Sequence, residues 1–158
     1  MLLVAFTTKP ARFSITALQK GQTIDSEYMV QFFKDTNKRF SSLRRNKIKF
    51  SELLLQIDNA RPHTSKRTQS YLETTGVELL KQSPYSPDLN LCDRFLFTRL
   101  QEHCRATQYL SSGEVYEDVQ RYLRQLPETY LVHELGKLRE HCKQVVLAKG
   151  DYVVPTVK

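Results

Sequence analysis

The chain has 158 residues and a mass of 18.5 kDa, which is enough for one domain with a buried core. Apolar residues make up 40% and charged residues 26%, a balance that excludes disordered and fibrous classes. Lys and Arg number 24 against 17 Asp and Glu, so the net charge of +7 favours polyanionic partners such as nucleic acid, although many mildly basic proteins bind none.

The opening segment, residues 1–6, is apolar but has no basic lead and is too short to cross a membrane. We therefore predict a soluble chain without membrane association and interpret this segment as a buried strand. Three widely spaced cysteines, Cys92, Cys104 and Cys142, differ from the even, dense pattern of secreted disulfide proteins. They favour a reducing compartment.

Two short runs with strand-like composition, residues 1–8 and 12–19, predict a hairpin. Apolar side chains at near-helical spacing then predict a helix over residues 26–42. Next comes a run of basic side chains without an acid, residues 38–49, which faces solvent or lies along phosphates.

A continuous apolar run, residues 53–57, is typical of a strand covered on both faces of an α/β sheet, and Asp58 follows it. Residues 64–75 predict a helix closed by Gly76, and residues 77–80 predict another strand. A strand, a helix and a strand in succession favour a parallel crossover.

Residues 83–90 form a turn-rich loop in which two prolines restrict the backbone. The pattern after it predicts a helix from about Leu91 to about His103 that buries Phe95, Leu96 and Leu100. Two further helices are predicted over residues 111–124 and 127–148, the first beginning with an approximate capping pattern.

Two motifs stand out in this arrangement. Asp58 opens the sequence Asp-Asn-Ala-Arg-Pro-His-Thr directly after the apolar strand, and Asp93 closes the sequence Tyr-Ser-Pro-Asp-Leu-Asn-Leu-Cys-Asp at a helix start, with 34 residues between the two aspartates. This pattern resembles the mariner branch of the mariner and Tc1 transposases, whose second and third catalytic carboxylates stand at that separation. The Tc1 branch usually has a glutamate at the third position, so Asp93 indicates mariner.

The resemblance extends along most of the chain. Residues 23–28 are similar to the family's segment after the hairpin. Residues 95–97 and Leu100 are similar to its helix after the third carboxylate, and residues 150–153 are similar to its closing segment. The order of these segments is also the family's order.

The resemblance implies an α/β, ribonuclease-H-like fold, the fold of retroviral integrases, with Asp58 at a strand end and Asp93 on a following helix. It implies that both aspartates are catalytic and bind Mg²⁺ or Mn²⁺ during DNA cleavage and strand joining, the chemistry of DNA transposition and integration. Hard oxygen ligands suit such ions, which activate the attacking oxygen and stabilise the leaving one. It further implies a nuclear protein with DNA as partner, a homodimeric assembly and no small-molecule substrate.

Each aspartate also has a structural interpretation. Asp58 before Asn59 can form an Asx turn that ends a strand, and Asp93 can be a first-turn acid that favours the helix dipole. Asp88 is interpreted as a loop or cap residue, because the family's ligand matches the later acid.

The basic residues near these motifs are candidates for contact with the DNA backbone, against ordinary loop or surface roles. His63 is also close enough in sequence to Asp58 to approach metal or phosphate. The predicted DNA-binding residues are Arg61, His63, Lys66, Arg67, Arg44, Arg45 and Lys47. The repeated Glu-His-Cys at 102–104 and 140–142 is not interpreted as a zinc site, since adjacent His and Cys on a helix point about 100° apart.

Two parts of the family pattern are not found in residues 1–158: the first strand, with the first catalytic aspartate, and the N-terminal helix-turn-helix region that binds transposon ends. We therefore expect an N-terminally truncated catalytic domain, in which the absence of one ligand impairs cleavage. The alternatives are a non-catalytic DNA-binding or protein-interaction module and a transposon remnant without function.

Overall fold

The computed structural model describes residues 1–42 and 47–153. It divides into two compact units, Met1–Pro84 and Tyr85–Lys158, here called the first and second unit. The predicted DNA-binding residues Arg44 and Arg45 lie outside the described residues.

The first unit opens with the predicted hairpin. Strand β1, Leu2–Thr8, pairs in antiparallel register with β2, Ala11–Ala17. Helix α1, Ser26–Ser41, follows, and Asp25 begins it by accepting a hydrogen bond from the backbone N–H of Tyr28 at 2.8 Å. Both predictions are confirmed within one or two residues.

Helix α1 supplies much of the core of the first unit. One of its faces buries bulky side chains, and partly buried residues of β1 and of the strand before Asp58 pack against the same cluster. A buried hydrogen bond of 3.0 Å from the Thr36 hydroxyl to the Ser14 hydroxyl also joins α1 to β2. The α1 members of the cluster are Met29, Phe32, Phe33 and Phe40.

The second half of this unit contains the predicted parallel crossover. Strand β3, Leu54–Gln56, pairs in parallel with β4, Glu78–Leu80. Helices α2, Arg61–Thr64, and α3, Lys66–Thr75, lie between them in sequence. Gly76 ends α3 with a left-handed φ of 70°, as the sequence predicts.

The helix predicted from residue 64 begins two residues later. Ser65 has extended backbone angles and its hydroxyl accepts from the backbone N–H of Thr68 at 3.2 Å, so it caps α3. Thr64 belongs instead to the short α2.

Two expectations about burial are wrong. All residues of β1 are only partly buried, and the Leu54 side chain of β3 is 57% exposed. Leu53, Leu55 and Ile57 pack against the core while Leu54 points away from it. Among the described residues each sheet has two strands, so β3 follows the alternation of a strand covered on one face.

The second unit is helical. A 3-10 turn, Pro87–Leu89, leads to a helix that starts with a π-helical turn, Cys92–Leu96, and continues as α4, Phe97–Arg105. Helices α5, Ser112–Gln125, and α6, Glu128–Leu147, complete it.

The capping pattern predicted for α5 is present. The Ser111 hydroxyl accepts from the backbone N–H of Glu114 at 3.2 Å, and the Glu114 carboxylate accepts from the backbone N–H of Leu110 at 2.9 Å. Over the part of the chain that the structure describes, none of the helices combines the length and apolarity that a membrane span requires.

Candidate functional site

Asp58 lies in a turn that begins where β3 ends. Ile57 packs against the core, and the next side chain, Asp58, is 53% exposed. Oδ1 of Asp58 accepts from the backbone N–H of Ala60 at 3.0 Å, which is the Asx turn that the sequence left open as an alternative. The turn leaves the carboxylate exposed, so it is compatible with a ligand role.

His63 is the second partner of this carboxylate. Its Nδ1 lies 2.5 Å from Oδ1 of Asp58, and its side chain is only 19% exposed. The imidazole ring is 6.5 Å from the ring of Phe33 in the core, and the His63 carbonyl accepts from the Gln69 side chain at 2.7 Å. Because His63 is held from the core side, it restrains the orientation of Asp58.

The turn is also joined to the chain after β4. The Asn59 side chain donates to the backbone carbonyl of Gln82 at 3.0 Å, and the Gln56 side chain donates to the Gln82 amide oxygen at 3.1 Å. Asp58 is therefore carried by a turn that is tied to the ends of both strands of the parallel pair.

The predicted DNA-binding residues that the structure describes all belong to the first unit. Arg61, Lys66 and Lys47 are exposed. Arg67 is also exposed, and its guanidinium lies 3.3 Å from the carboxylate of Glu27, a surface ion pair of small energetic value. His63 differs from the others because its ring faces Asp58.

Asp93 lies in the π-helical turn of the second unit and is partly buried. The turn is closed by a hydrogen bond from the backbone N–H of Phe97 to the carbonyl of Cys92, five residues apart. Buried Asn90 precedes it and accepts from the backbone N–H of Cys92 at 2.8 Å through its side chain. Single π-helical turns are rare and are often found at functional sites.

Helix α6 holds this segment at two places. Oδ2 of Asp88 lies 2.7 Å from Nε2 of the buried His141, and the Phe95 ring meets the Tyr130 ring edge-on at 5.3 Å. The sequence pattern identifies Asp88 as a loop residue and His141 as part of a Glu-His-Cys triplet, but it does not predict their contact. No sequence signal connects two residues that stand 53 positions apart.

The histidine of the other triplet also has an acidic partner. Nε2 of His103 lies 2.7 Å from Oδ2 of Asp118, which also accepts from the Tyr109 hydroxyl at 2.8 Å. Both hydrogen bonds lower the pKa of Asp118, and the bond from Tyr109 has the larger effect. Burial and the bond to Asp118 raise the pKa of Tyr109 to about 12. The cluster joins α4, the following loop and α5.

The donor chemistry of Asp58 fits a hard divalent cation. Its described hydrogen-bonding partners both contact Oδ1, and Oδ2 is available to a ligand. Within residues 1–42 and 47–153, no group of three or more His, Cys, Asp or Glu side chains is placed to hold a metal ion.

A parallel strand pair that ends in an exposed carboxylate, followed by a second carboxylate on a later helix, is compatible with the class of ribonuclease-H-like domains that the sequence resemblance implies. Residues 2–115 match the family described as DDE superfamily endonuclease. The match includes both Asp58 and Asp93 and most of the chain, so the chain belongs to this family.

Two curated relatives share about a quarter of their aligned residues with this chain, and both are longer than it. The chain is 25% identical over 135 residues to the human histone-lysine N-methyltransferase SETMAR, covering 85% of this chain and 20% of the relative. It is 27% identical over 97 residues to the transposable element Tcb2 transposase of Caenorhabditis briggsae, covering 61% of this chain and 35% of the relative. The chain thus spans a fifth to a third of these relatives.

Solved structures show the fold. The catalytic domain of Mos1 transposase, solved with raltegravir and Mg, has a TM-score of 0.85 at 22% identity, covering 97% of this chain and 76% of that chain. The Mos1 mariner paired-end complex with Mn has a TM-score of 0.84 at 22% identity. The match covers 97% of this chain and 44% of the Mos1 chain. The predicted ribonuclease-H-like fold and the mariner-type resemblance are therefore confirmed, while the predicted site residues stay predictions.

Proposed function

We propose that this chain is a transposase-derived domain in which Asp58 and Asp93 are two carboxylate ligands of the Mg²⁺ or Mn²⁺ used for DNA strand cleavage and joining. One observation carries the proposal: the DDE endonuclease match includes both aspartates, each in a turn whose neighbouring residues make contacts with distant parts of the chain. Solved neighbours contain Mg or Mn, which supports the same metals here.

The roles of the chain's own residues follow from their contacts. Asp58 would hold a cation through its exposed carboxylate while His63 fixes the orientation of that group. Exposed Arg61, Lys66 and Lys47 would contact DNA phosphates. When bound, the cations would activate the attacking oxygen and stabilise the leaving oxygen of a phosphoryl displacement.

Cleavage by the isolated chain is proposed to be impaired. The family resemblance implies three carboxylates, and we identify two of them. Because the ligands of such a site act as a unit, a missing one removes most of the rate. The Mos1 structures include paired-end and strand transfer complexes, which supports DNA as partner and a homodimeric assembly. A nuclear location belongs to the same proposal, because DNA is the proposed substrate.

Mn²⁺ binding, followed by the decrease of the free-ion electron paramagnetic resonance signal, tests the ligand roles without requiring activity. Asp58→Asn and Asp93→Asn should each weaken binding by at least about tenfold, because an amide lacks the carboxylate charge. Asp58→Asn can keep the Asx turn, so the fold is preserved. Asp35→Asn, at an exposed position of α1, is the matched control and should bind as the wild type does.

Equal Mn²⁺ binding by the wild type and both variants would refute the ligand assignment. Nicking of supercoiled plasmid with Mn²⁺ tests the impairment separately. We expect little or no nicking by the wild-type chain; nicking that Asp58→Asn and Asp93→Asn both abolish would show that the isolated chain is an active nuclease.

A non-catalytic DNA-binding module is the second candidate. The net charge of +7 and the exposed basic side chains near α2 and α3 favour it. Absence of Mn²⁺ binding combined with salt-dependent DNA binding would support this candidate over the first.

A further inference from the structure

We propose that His141 of α6 is a positioning residue for Asp93, acting through Asp88. The inference rests on the proposed role of Asp93 as a metal ligand. His141 is 4% exposed, and its Nε2 lies 2.7 Å from Oδ2 of Asp88, a side chain that is 20% exposed. A buried imidazole loses its hydration, and this contact replaces a water partner, so removal of either group leaves the other poorly satisfied.

A continuous set of hydrogen bonds connects Asp88 to the turn that contains Asp93. The backbone N–H of Asn90 donates to the Pro87 carbonyl at 3.1 Å, which closes the 3-10 turn around Asp88. The buried Asn90 then accepts from Cys92 at 2.8 Å through its side chain and from Arg94 at 2.9 Å through its carbonyl. Both neighbours of Asp93 are thus held by a residue two positions after Asp88.

Helix α6 contacts both ends of this segment. His141 holds Asp88 before the π-helical turn, and Tyr130 meets Phe95 within it. The two α6 residues are eleven positions apart, about 16 Å along a helix axis. Contacts at two separated points resist rotation of the intervening turn better than one contact does. A π-helical turn is a rare departure from α-helical geometry, so contacts of this kind help to hold it in place.

Hydrogen exchange of the Cys92 and Arg94 amides is the direct test, with Mn²⁺ affinity as the functional measurement, both on the full chain. His141→Leu removes the donor, whereas His141→Gln places an amide nitrogen near the position of Nε2. Asp88→Ala and Asp88→Asn form the matching pair on the other side. His133→Leu, at an exposed position of the same helix, is the control.

We expect His141→Leu and Asp88→Ala to speed exchange at these amides and to weaken Mn²⁺ binding by roughly tenfold, as removal of an orienting group does at metal sites. The double variant should be no worse than either single one, and His141→Gln and Asp88→Asn should restore most of both properties. His133→Leu should match the wild type.

Unchanged exchange at Cys92 and Arg94 in His141→Leu would overturn the inference, as would failure of both conservative variants to restore it. If the wild-type chain binds no Mn²⁺, the proposed metal function fails, and the exchange measurement still decides whether His141 fixes the turn. Thermal melting of every variant separates local loosening from general unfolding.

Discussion

Asp58 and His63 illustrate how a turn can serve stability and chemistry together. The carboxylate accepts from Ala60 and from the imidazole through the same oxygen, Oδ1. Since the Asx turn occupies Oδ1 and a metal ion can bind Oδ2, the structural interpretation of Asp58 does not compete with the functional one.

Substitution of His63 should therefore affect metal binding more than folding. His63→Leu retains apolar contact near Phe33 but removes the donor to Asp58, so Mn²⁺ affinity should fall roughly tenfold. His63→Asn keeps a nitrogen near the position of Nδ1 and should recover part of that affinity. Calorimetric titration of Mn²⁺ measures both, and equal affinity in His63→Leu and the wild type would show that the imidazole does not orient Asp58.

The sequence could reveal Asp58 and His63 because their relation is local: five positions apart, across an Asx turn and one helical turn. The contact of Asp88 with His141 is different. It depends on how α6 packs against a distant loop, and a single sequence has no local pattern that encodes such packing. Sequence reasoning therefore found the candidate ligand Asp93 but not the group that holds its turn.

Among the helices and strands, too, features that depend on local residues were predictable and features that depend on tertiary packing were not. The start of α1 at Asp25, the start of α5 at Ser111 and the end of α3 at Gly76 were predictable, because each depends on one residue's own hydrogen bonds or backbone angles. The π-helical turn at Asp93 was not, since tertiary contacts stabilise it. The exposure of Leu54 was also missed, because an apolar run does not show how many faces of a strand are covered.

Attachment of α5 to α4 should depend on pH through Asp118. Its pKa is lower in the folded chain than the ordinary aspartate value of about 3.9, so the unfolded chain binds that proton more tightly. The stability that the ionised carboxylate contributes is complete above the ordinary value and disappears as pH falls through the lowered one. Asp118→Asn should therefore melt at lower temperature than the wild type near neutral pH.

Melting followed by circular dichroism across the acid range measures this dependence. The melting temperatures of the wild type and Asp118→Asn should begin to converge as pH falls below about 4, and they should meet below the lowered pKa of the folded chain, where the wild-type carboxylate is neutral in both states. Asp35→Asn, in the first unit, should keep the wild-type pH profile. A constant difference between the wild type and Asp118→Asn at every pH would assign the role of Asp118 to packing and not to its charge.

At the scale of the whole chain, the net charge of +7 favours a general attraction for polyanions such as DNA. Particular side chains would decide how many phosphates are neutralised. The described structure adds that Arg61 and Lys66 are exposed in α2 and α3, the two helices that follow Asp58 in sequence, while Arg67 also has Glu27 as a partner. These differences predict unequal contributions from the predicted DNA-binding residues.

Binding of the chain to a generic DNA duplex should weaken steeply with salt, because each neutralised phosphate releases counterions. The double substitution Arg61→Gln with Lys66→Gln should lower the slope of log affinity against log salt by about one for each phosphate that is no longer neutralised. Lys20→Gln, which also removes an exposed basic group from the first unit, should lower affinity slightly and leave the slope nearly unchanged.

Fluorescence anisotropy over a salt series measures DNA affinity and its salt dependence for each variant. If only the overall charge matters, the loss of affinity depends on the number of charges removed. If local contacts matter, the loss depends on which residues are substituted. If the double variant and a second double variant at Lys20 and Lys137 give the same slope, Arg61 and Lys66 do not form a distinct DNA-binding surface.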